Sequence, residues 1–315
     1  MSEPKRWAVV GVPIDTVGSP DGGPTFGTEA SPGALRALNL VSRLGARDRG
    51  DLDVRVTGRQ RDPVSGIVGW PSVGAMTTEV RHAVRRVLGE GERPLLLGGC
   101  CGLVMGAVAG ARDELGRVGV VNVDGHVDAY DHRTSPTGEA ADMPVAALLG
   151  LGWPDLLRLM GTEPVVAQGD AVVIGARDPD EAADIGDLPE RLGIMQQDRD
   201  TVVADPSAAG RAAVAHFASG TATAPAYWVH LDVDVLDEGV FPATDYLMPN
   251  GLDLEQLGDV LRPIVQHPAM IGFSLGCYNP SKDPDGRYGV QLADLLVDVL
   301  GSGDLSAPLA QAWGE

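Results

Sequence analysis

Two short acidic ladders carry most of the chemistry this chain can perform. Asp124-Gly125-His126-Val127-Asp128 follows the apolar run Val118–Val123, and Asp232-Val233-Asp234 follows Tyr227–Leu231. In an extended segment, residues two apart project the same way. Asp124, His126 and Asp128 are therefore expected on one face, and Asp232 and Asp234 on another. So much negative charge cannot stay ionised in one place unless cations neutralise it. Two such ladders on nearby strands can hold two divalent ions ~4 Å apart, with carboxylates bridging them. Oxygen-rich donors with one imidazole suit Mn²⁺ better than a structural zinc. Either ladder alone is an ordinary acidic turn after a strand; it is the pair, on separate strands, that points to metal.

Three further apolar runs end in residues of interest. Gly98-Gly99-Cys100-Cys101-Gly102 follows Pro94–Leu97, Gly175-Ala176-Arg177-Asp178-Pro179-Asp180 follows Ala171–Ile174, and Gly276-Cys277-Tyr278-Asn279-Pro280 follows Met270–Leu275. All 3 cysteines thus fall at strand ends. Cys101 reads as a ligand and Cys100 as a small core residue; for Cys277 both readings stay open. A Cys100–Cys101 disulfide would be strained. Among the histidines outside the ladder, His82 and His216 lie in helical patterns and His267 near a helix end. His230, two residues before Asp232, reads as core or as support for a ligand. His132, in the loop leaving the first ladder, is the one placed to join the site.

The elements that must position these groups alternate regularly. Candidate strands are Trp7–Val12, Leu52–Val56, Pro94–Leu97, Val118–Val123, Ala171–Ile174, Tyr227–Leu231 and Met270–Leu275. Helical patterns lie between them: one from Ser31, as N-cap, to Gly45, then Met76–Leu88, Leu103–Leu115, Pro206–Ser219, Leu254–Gln266 and Tyr288–Leu300. Apolar strands alternating with helices imply a parallel sheet covered on both faces, and such sheets bind ligands beyond the carboxyl ends of their strands. Val17–Gly33 and Gly58–Gly74 read as long loops. No stretch has the composition of an interdomain linker, so residues 1–315 are expected to form one domain.

The 315 residues carry 24 Lys+Arg against 44 Asp+Glu, a net charge of −20, with 44% hydrophobic and 22% charged residues. That balance fits a globular protein with a large core and not a disordered one. An acidic chain without a basic cluster is repelled by nucleic acid and by anionic membrane. No run approaches the ~20 apolar residues of a membrane span. The polar start Met1–Arg6 lacks a signal-peptide pattern, and 3 cysteines make no disulfide framework. The expected location is the cytoplasm.

The motifs resemble the arginase/agmatinase (ureohydrolase) family from Gly27–Arg36 through Asn279-Pro280. The family's Asp-x-His-x-Asp matches Asp124, His126 and Asp128, and its Asp-x-Asp matches Asp232 and Asp234. The resemblance implies a three-layer α/β/α fold with a mostly parallel sheet of about eight strands. It also implies a two-metal centre, Mn²⁺ in the first place, that hydrolyses a guanidinium carbon, and a homo-oligomer, trimer or hexamer. Asp128 would bond the attacking hydroxide and pass its proton to the leaving amine. Asp178 and Asp180 match a post-strand Arg-Asp-x-Asp and fall on the substrate side.

Departures from the pattern are as informative. Family members read Gly-Gly-Asp-His where this chain has Gly98-Gly99-Cys100-Cys101, so Cys101 stands at the first metal-binding His. A thiolate there favours Zn²⁺, Fe²⁺ or Co²⁺ relative to Mn²⁺, and Ni²⁺ is a further candidate. Ser-Gly-Asn-x-His-Gly-x-Pro becomes Thr137-Gly138-Glu139-Ala140-Ala141-Asp142-Met143-Pro144, which puts Ala141 at a proton-relaying His and Glu139 among the substrate-side residues. Cys277 replaces the Glu that clamps the guanidinium, and a buried cation needs a paired anion. Efficient hydrolysis of L-arginine or agmatine is therefore not expected. The Cys101 substitution is similar to a minor branch that acts on N-hydroxyarginine. Two competing expectations remain: a weak or inactive metal-binding homologue serving as a partner subunit, and a one-metal deacylase.

Overall fold

A computed structural model of the chain describes residues 5–16, 26–161, 163–218 and 222–301. Its eight parallel strands are β1 (Trp7–Val12), β2 (Arg47–Asp51), β3 (Arg93–Gly98), β4 (Gly119–Val123), β5 (Ala171–Ile174), β6 (Met195–Gln197), β7 (Tyr227–Asp232) and β8 (Met270–Gly276). They form one sheet in the order β2-β1-β3-β8-β7-β4-β5-β6. The central strands are buried throughout, which is why they read as continuous apolar runs without alternation.

The strand period of two separates two cores. Trp7, Val9, Leu95, Leu97, Val121, Val123, Val229 and Leu231 face one layer. Ala8, Val10, Val12, Leu96, Val120, Val173 and Trp228 face the other. The first layer is built from helices Ser31–Ala37, Pro206–Ala218, Leu254–Val265 and Arg287–Gly301. The second is built from Ser72–Gly89, Leu103–Leu115 and Pro154–Met160. The fold is the three-layer α/β/α arrangement with an eight-stranded sheet. Among the described residues no helix is long and apolar enough to cross a membrane.

Several expectations need correction. The second strand is Arg47–Asp51, not Leu52–Val56. It is an edge strand pairing only with β1, so its face to solvent is polar; Arg36 from the first helix bridges to Asp48 and Asp51. The eighth strand, β6, closes the opposite edge with three residues, too few for a periodic signal. The helix from Ser31 does not run to Gly45: Asn39 takes a left-handed φ of 60° and splits it into Ser31–Ala37 and Leu40–Arg43. The helix assigned to Met76 begins at Ser72, shortening the loop at Gly58–Gly74. Within Val17–Gly33, residues 17–25 lie outside the described residues, and Thr28 onward is helical. Ser219 also lies outside them.

β7 and β8 meet through a polar thread in the core. The Trp228 Nε1 donates to Ser274 Oγ at 2.9 Å, and His230 Nδ1 lies 2.8 Å from the same oxygen. The Trp228 indole lies over Gly272, where a Cβ would fall well inside contact distance of the ring. Gly272→Ala should therefore destabilise the fold by ~1–3 kcal/mol through overpacking, read as a lower urea midpoint. An unchanged midpoint would mean the indole can move aside freely.

Candidate metal centre

The site forms where five adjacent strands, β3-β8-β7-β4-β5, end side by side. Each delivers its chemistry within a few residues of its last paired position. At β3, Gly99 passes so close to the Ile14 carbonyl that no side chain fits. That close approach turns the chain toward helix Leu103–Leu115 and separates the vicinal thiols. Cys100 joins the second core, 3.3 Å from Thr16 Oγ1. Cys101 joins the first and faces the strand ends. At β8, the Cys277 amide donates to the Gly99 carbonyl at 2.6 Å. This bond draws Cys277 Sγ to 3.4 Å from Cys101 Sγ, and Cys101 Sγ in turn donates to Asp232 Oδ2 at 2.6 Å. All three cysteines are free.

The two ladders converge, but not as extended combs. The chain bends directly after β4, and Asp124 Oδ1 accepts from the His126 amide at 2.8 Å. Asp232 ends β7 and caps a short 3-10 turn, Val233–Val235, accepting from the Asp234 amide at 2.8 Å. Two residues apart in a turn, rather than in a strand, each pair still presents both side chains to one space because the first carboxylate hooks the second backbone. The ladders also join each other. Gly125 N donates to Asp234 Oδ1 at 3.1 Å, and His126 Nδ1 sits 3.2 Å from Asp234 Oδ2 and 3.4 Å from Asp124 Oδ1. Asp128 lies in the left-handed region at φ 57°, held there because its carbonyl accepts from Val145 N at 3.0 Å.

The six ligands expected from the sequence thus come together. Their donor atoms form compact groups, Cys101–Asp124–Asp128 and Asp124–His126–Asp234, while Cys101–Asp232–Cys277 makes a third. Asp124, Asp128, Asp232, Asp234 and both thiols are buried. Burial, then the Asp124 and Glu181 charges, pushes the Asp128 carboxyl well above the carboxylate range; burial, Asp234 and Asp124 do the same to Asp232. Burial opposes charge on His126, but Asp234 and Asp124 outweigh it and raise the imidazole pKa well above its ordinary value. Burial likewise raises the Cys101 thiol. For Cys277 the hydrogen bond with Cys101 lowers the pKa, but burial and the Asp232 and Asp234 charges outweigh it and hold the thiol well above its ordinary range.

These groups fit divalent cations. Asp128 Oδ2 and His230 Nε2 are buried without a hydrogen-bond partner, and buried polar atoms left so carry a desolvation penalty that a cation or its water removes. Carboxylate, imidazole and thiolate donors around one space are what such ions take.

The substrate-side expectations are placed unevenly. Asp178 caps helix Pro179–Ile185, and its Oδ2 lies 3.6 Å from His126 Nε2. Asp180 is exposed on the first turn of that helix and joins none of the ligand groups. Glu139 is buried and accepts from the Tyr246 hydroxyl at 3.0 Å; the Tyr246 ring stands edge-on to His126. His132 packs against Trp153, ring centroids 5.5 Å apart, and belongs to none of the groups. Ala141 and Asp142 follow Glu139; burial raises the Asp142 carboxyl to about 6 despite hydrogen bonds from Ser135 and Thr137.

Three supporting residues escaped sequence reasoning. Glu181 is buried and accepts from the amides of Val127 at 2.6 Å and Ala129 at 3.2 Å, on either side of Asp128; burial raises its pKa to about 7. Arg177 donates to the carbonyls of Asp234 at 2.8 Å, Leu236 at 3.1 Å and Met248 at 3.2 Å, clamping the turn after β7. Tyr246 comes from a loop with no periodic signal. The available hint for the first two was their position directly after a strand end, beside Asp178 and Asp180.

Comparison with known proteins agrees with the fold. The Arginase family model matches residues 5–301. An arginase of Brevibacillus brevis is 31% identical over 195 residues, 60% of this chain and 63% of that protein; the chain thus spans less than two thirds of its length. An arginase of Staphylococcus aureus (strain MSSA476) is 26% identical over 91% of this chain and 97% of its own. In fold, the structure is similar to an arginase from Bacillus cereus, with a TM-score of 0.83, 24% identity, and 95% and 99% of the two chains covered. The chain belongs to the arginase family.

Proposed function

We propose that this protein is a metal-dependent hydrolase that cleaves a C–N bond in a guanidino or amidine compound, using Cys101, Asp124, His126, Asp128, Asp232 and Asp234 as ligands. The observation that carries this reading is the convergence of those six side chains in one buried space at adjacent strand ends. Family membership supports amidine hydrolysis in general. When bound, two divalent ions lower the pKa of water enough to supply hydroxide near neutral pH; the oxygen-rich Asp124–His126–Asp234 group suits Mn²⁺.

The chain's own residues do the rest. Asp128, whose carboxylate belongs to a ligand group and whose Oδ2 is buried without a hydrogen-bond partner, takes the proton of the attacking water and returns it to the departing nitrogen. Glu181 fixes the backbone around Asp128, so the carboxylate keeps its aim while the proton moves. Asp178, 3.6 Å from His126, and Glu139, held by Tyr246, bound the space where the distal end of a substrate is recognised. Asp180, exposed, contributes at most to the rim.

With Cys277 in place of a carboxylate, no buried anion pairs with a fully charged guanidinium at that position. An N-hydroxyguanidine, with a lower pKa than a guanidine, depends less on such a clamp, and a modified arginine of the N-hydroxyarginine type is the proposed substrate class. The net charge of −20 and the free thiols fit the proposed cytoplasmic location, and assembly as a homo-oligomer is proposed from the resemblance alone.

The deciding experiment measures urea or ammonia release from a panel of guanidino, N-hydroxyguanidino and amidine compounds, before and after chelation. Activity on a neutral or weakly basic member, lost with chelator and restored by Mn²⁺, is the expected result. Metal binding without turnover across the panel would favour the partner-subunit reading. Asp128→Asn should lower kcat by at least ~100-fold, and Asp232→Ala should remove bound metal; full rate and full metal content in either variant would refute the site. Glu181→Ala, which frees two amides flanking Asp128, should reduce kcat roughly 10–100-fold with little change in KM. A change confined to KM would instead place Glu181 on the substrate.

A further inference from the structure

The two ends of the candidate centre differ in chemistry. One group, Asp124–His126–Asp234, offers carboxylates and an imidazole; another, Cys101–Asp232–Cys277, offers two thiols and a carboxylate; the third, Cys101–Asp124–Asp128, shares one residue with each and lies between them in composition. The thiols come from β3 and β8, 176 residues apart in sequence, and lie 3.4 Å apart. Two thiolates on one tetrahedral ion with Zn–S bonds of ~2.3 Å sit ~3.8 Å from each other, so a small outward movement converts the pair into an edge of a coordination shell. Asp232 Oδ2, 2.6 Å from Cys101 Sγ, marks a third corner.

A second observation bears on the same space. His230 is fully buried, and its Nε2 has no hydrogen-bond partner. Ser274 fixes the ring through Nδ1. A Cβ at Gly276 would lie 2.9 Å from Cys101 Sγ and 3.4 Å from His230 Nε2. The imidazole and the thiol therefore border the same side of Gly276, and only glycine leaves that side open.

We infer that Cys277, at the position where the resemblance expects a substrate clamp, is instead a second thiolate ligand, so that the centre is a mixed one: a soft site of Cys101, Cys277 and Asp232 that selects Zn²⁺, Fe²⁺ or Co²⁺, beside a hard site of Asp124, His126 and Asp234 that accepts Mn²⁺. This rests on the metal-dependent reading above and specifies which ion goes where. Thiolate donors favour the softer ions, while carboxylate sites discriminate less. Each thiol releases its proton on ligation.

The test reads the metal directly. Native mass spectrometry of the purified, metal-stripped protein given one equivalent of Zn²⁺ and one of Mn²⁺ per chain should show one of each bound, because Zn²⁺ fills the thiolate site first and none is left to displace Mn²⁺ from the hard site. Two Mn²⁺ ions, or two Zn²⁺ ions, would overturn the mixed centre while leaving the metal-dependent reading intact; no bound ion would overturn both. With Co²⁺, the wild-type protein should show sulfur-to-cobalt charge-transfer absorption. Cys277→Ser should cut that absorption about twofold while leaving two ions bound or lowering only one affinity, and Cys101→Ser combined with Cys277→Ser should abolish it while one ion remains at the hard site. Undiminished charge transfer in Cys277→Ser would show that Cys277 is not a ligand. The wild-type mixed-metal measurement requires no variant, so poor folding of a substituted chain leaves the inference open to refutation.

Discussion

Mutual repulsion among buried carboxylates is the constraint on which this architecture depends. Asp124, Asp128, Asp232 and Asp234 lie buried in one cluster. The protein meets part of the electrostatic demand with backbone dipoles. The amides of Gly125, His126 and Asp234 all donate to ladder carboxylates. His126 supplies an imidazole between Asp124 and Asp234. What remains uncompensated is concentrated on Asp128 and Asp232, whose carboxyls are driven toward the neutral form. Divalent charge would remove that penalty at its source, which ties the proposed ions to the electrostatic balance of the fold.

Sheet order makes the crowding possible. The chain passes from β3 to β4 by leaving a gap that β7 and β8 later fill. The two ladders, from β4 and β7, become direct neighbours, with the thiol-bearing ends of β8 and β3 next in line. Ligands in open parallel sheets collect at such reversals of strand order. Arg177 then fixes the turn after β7 by satisfying its carbonyls, which leaves Asp234 free to point at His126. The guanidinium hydrogen-bonds only backbone carbonyls in this turn, and its charge, with that of His126, also helps to hold the Asp234 carboxyl below its ordinary range.

The central strands were legible because burial on both faces demands continuous apolar runs, and each motif is anchored to one of them. The edges were not. β2 reads Arg-Asp-Arg-Gly-Asp, a polar string whose pairing with β1 follows from its neighbour rather than from its own pattern, and β6 is too short to carry a period. That the candidate ligands would meet was readable for a different reason: short spacing constrains which side chains can converge. Their geometry was not, since Asp124 and Asp232 act through turns that the two-residue spacing cannot distinguish from strands. Glu181, Arg177 and Tyr246 work through backbone atoms or other side chains; a one-dimensional motif marks at most the strand end beside which the first two lie, not the partners they hold. Asp180 shows the converse: motif position placed it with Asp178, but the helix turns it to solvent.

Asp128 and Cys277 are both non-glycine residues in the left-handed region, at φ 57° and 65°. That conformation disfavours an L-residue by roughly 1–2 kcal/mol, less for Asp, whose short polar side chain can bond locally, than for Cys. Each is held by a bond to a different strand end or helix: Cys277 N to the Gly99 carbonyl, the Asp128 carbonyl to Val145 N. Releasing either bond would let the backbone relax and swing the side chain out of the cluster. Glycine would adopt these angles without strain and is absent from both positions. A cysteine at a strained position, tied to the loop that carries the other thiol, has a side chain whose placement matters more than its local backbone energy. Strain of this kind persists only where surrounding contacts over-determine it. Here those contacts are the same ones that close β3 against β8, so the two thiols are brought together by the sheet's own hydrogen bonding rather than by affinity for each other.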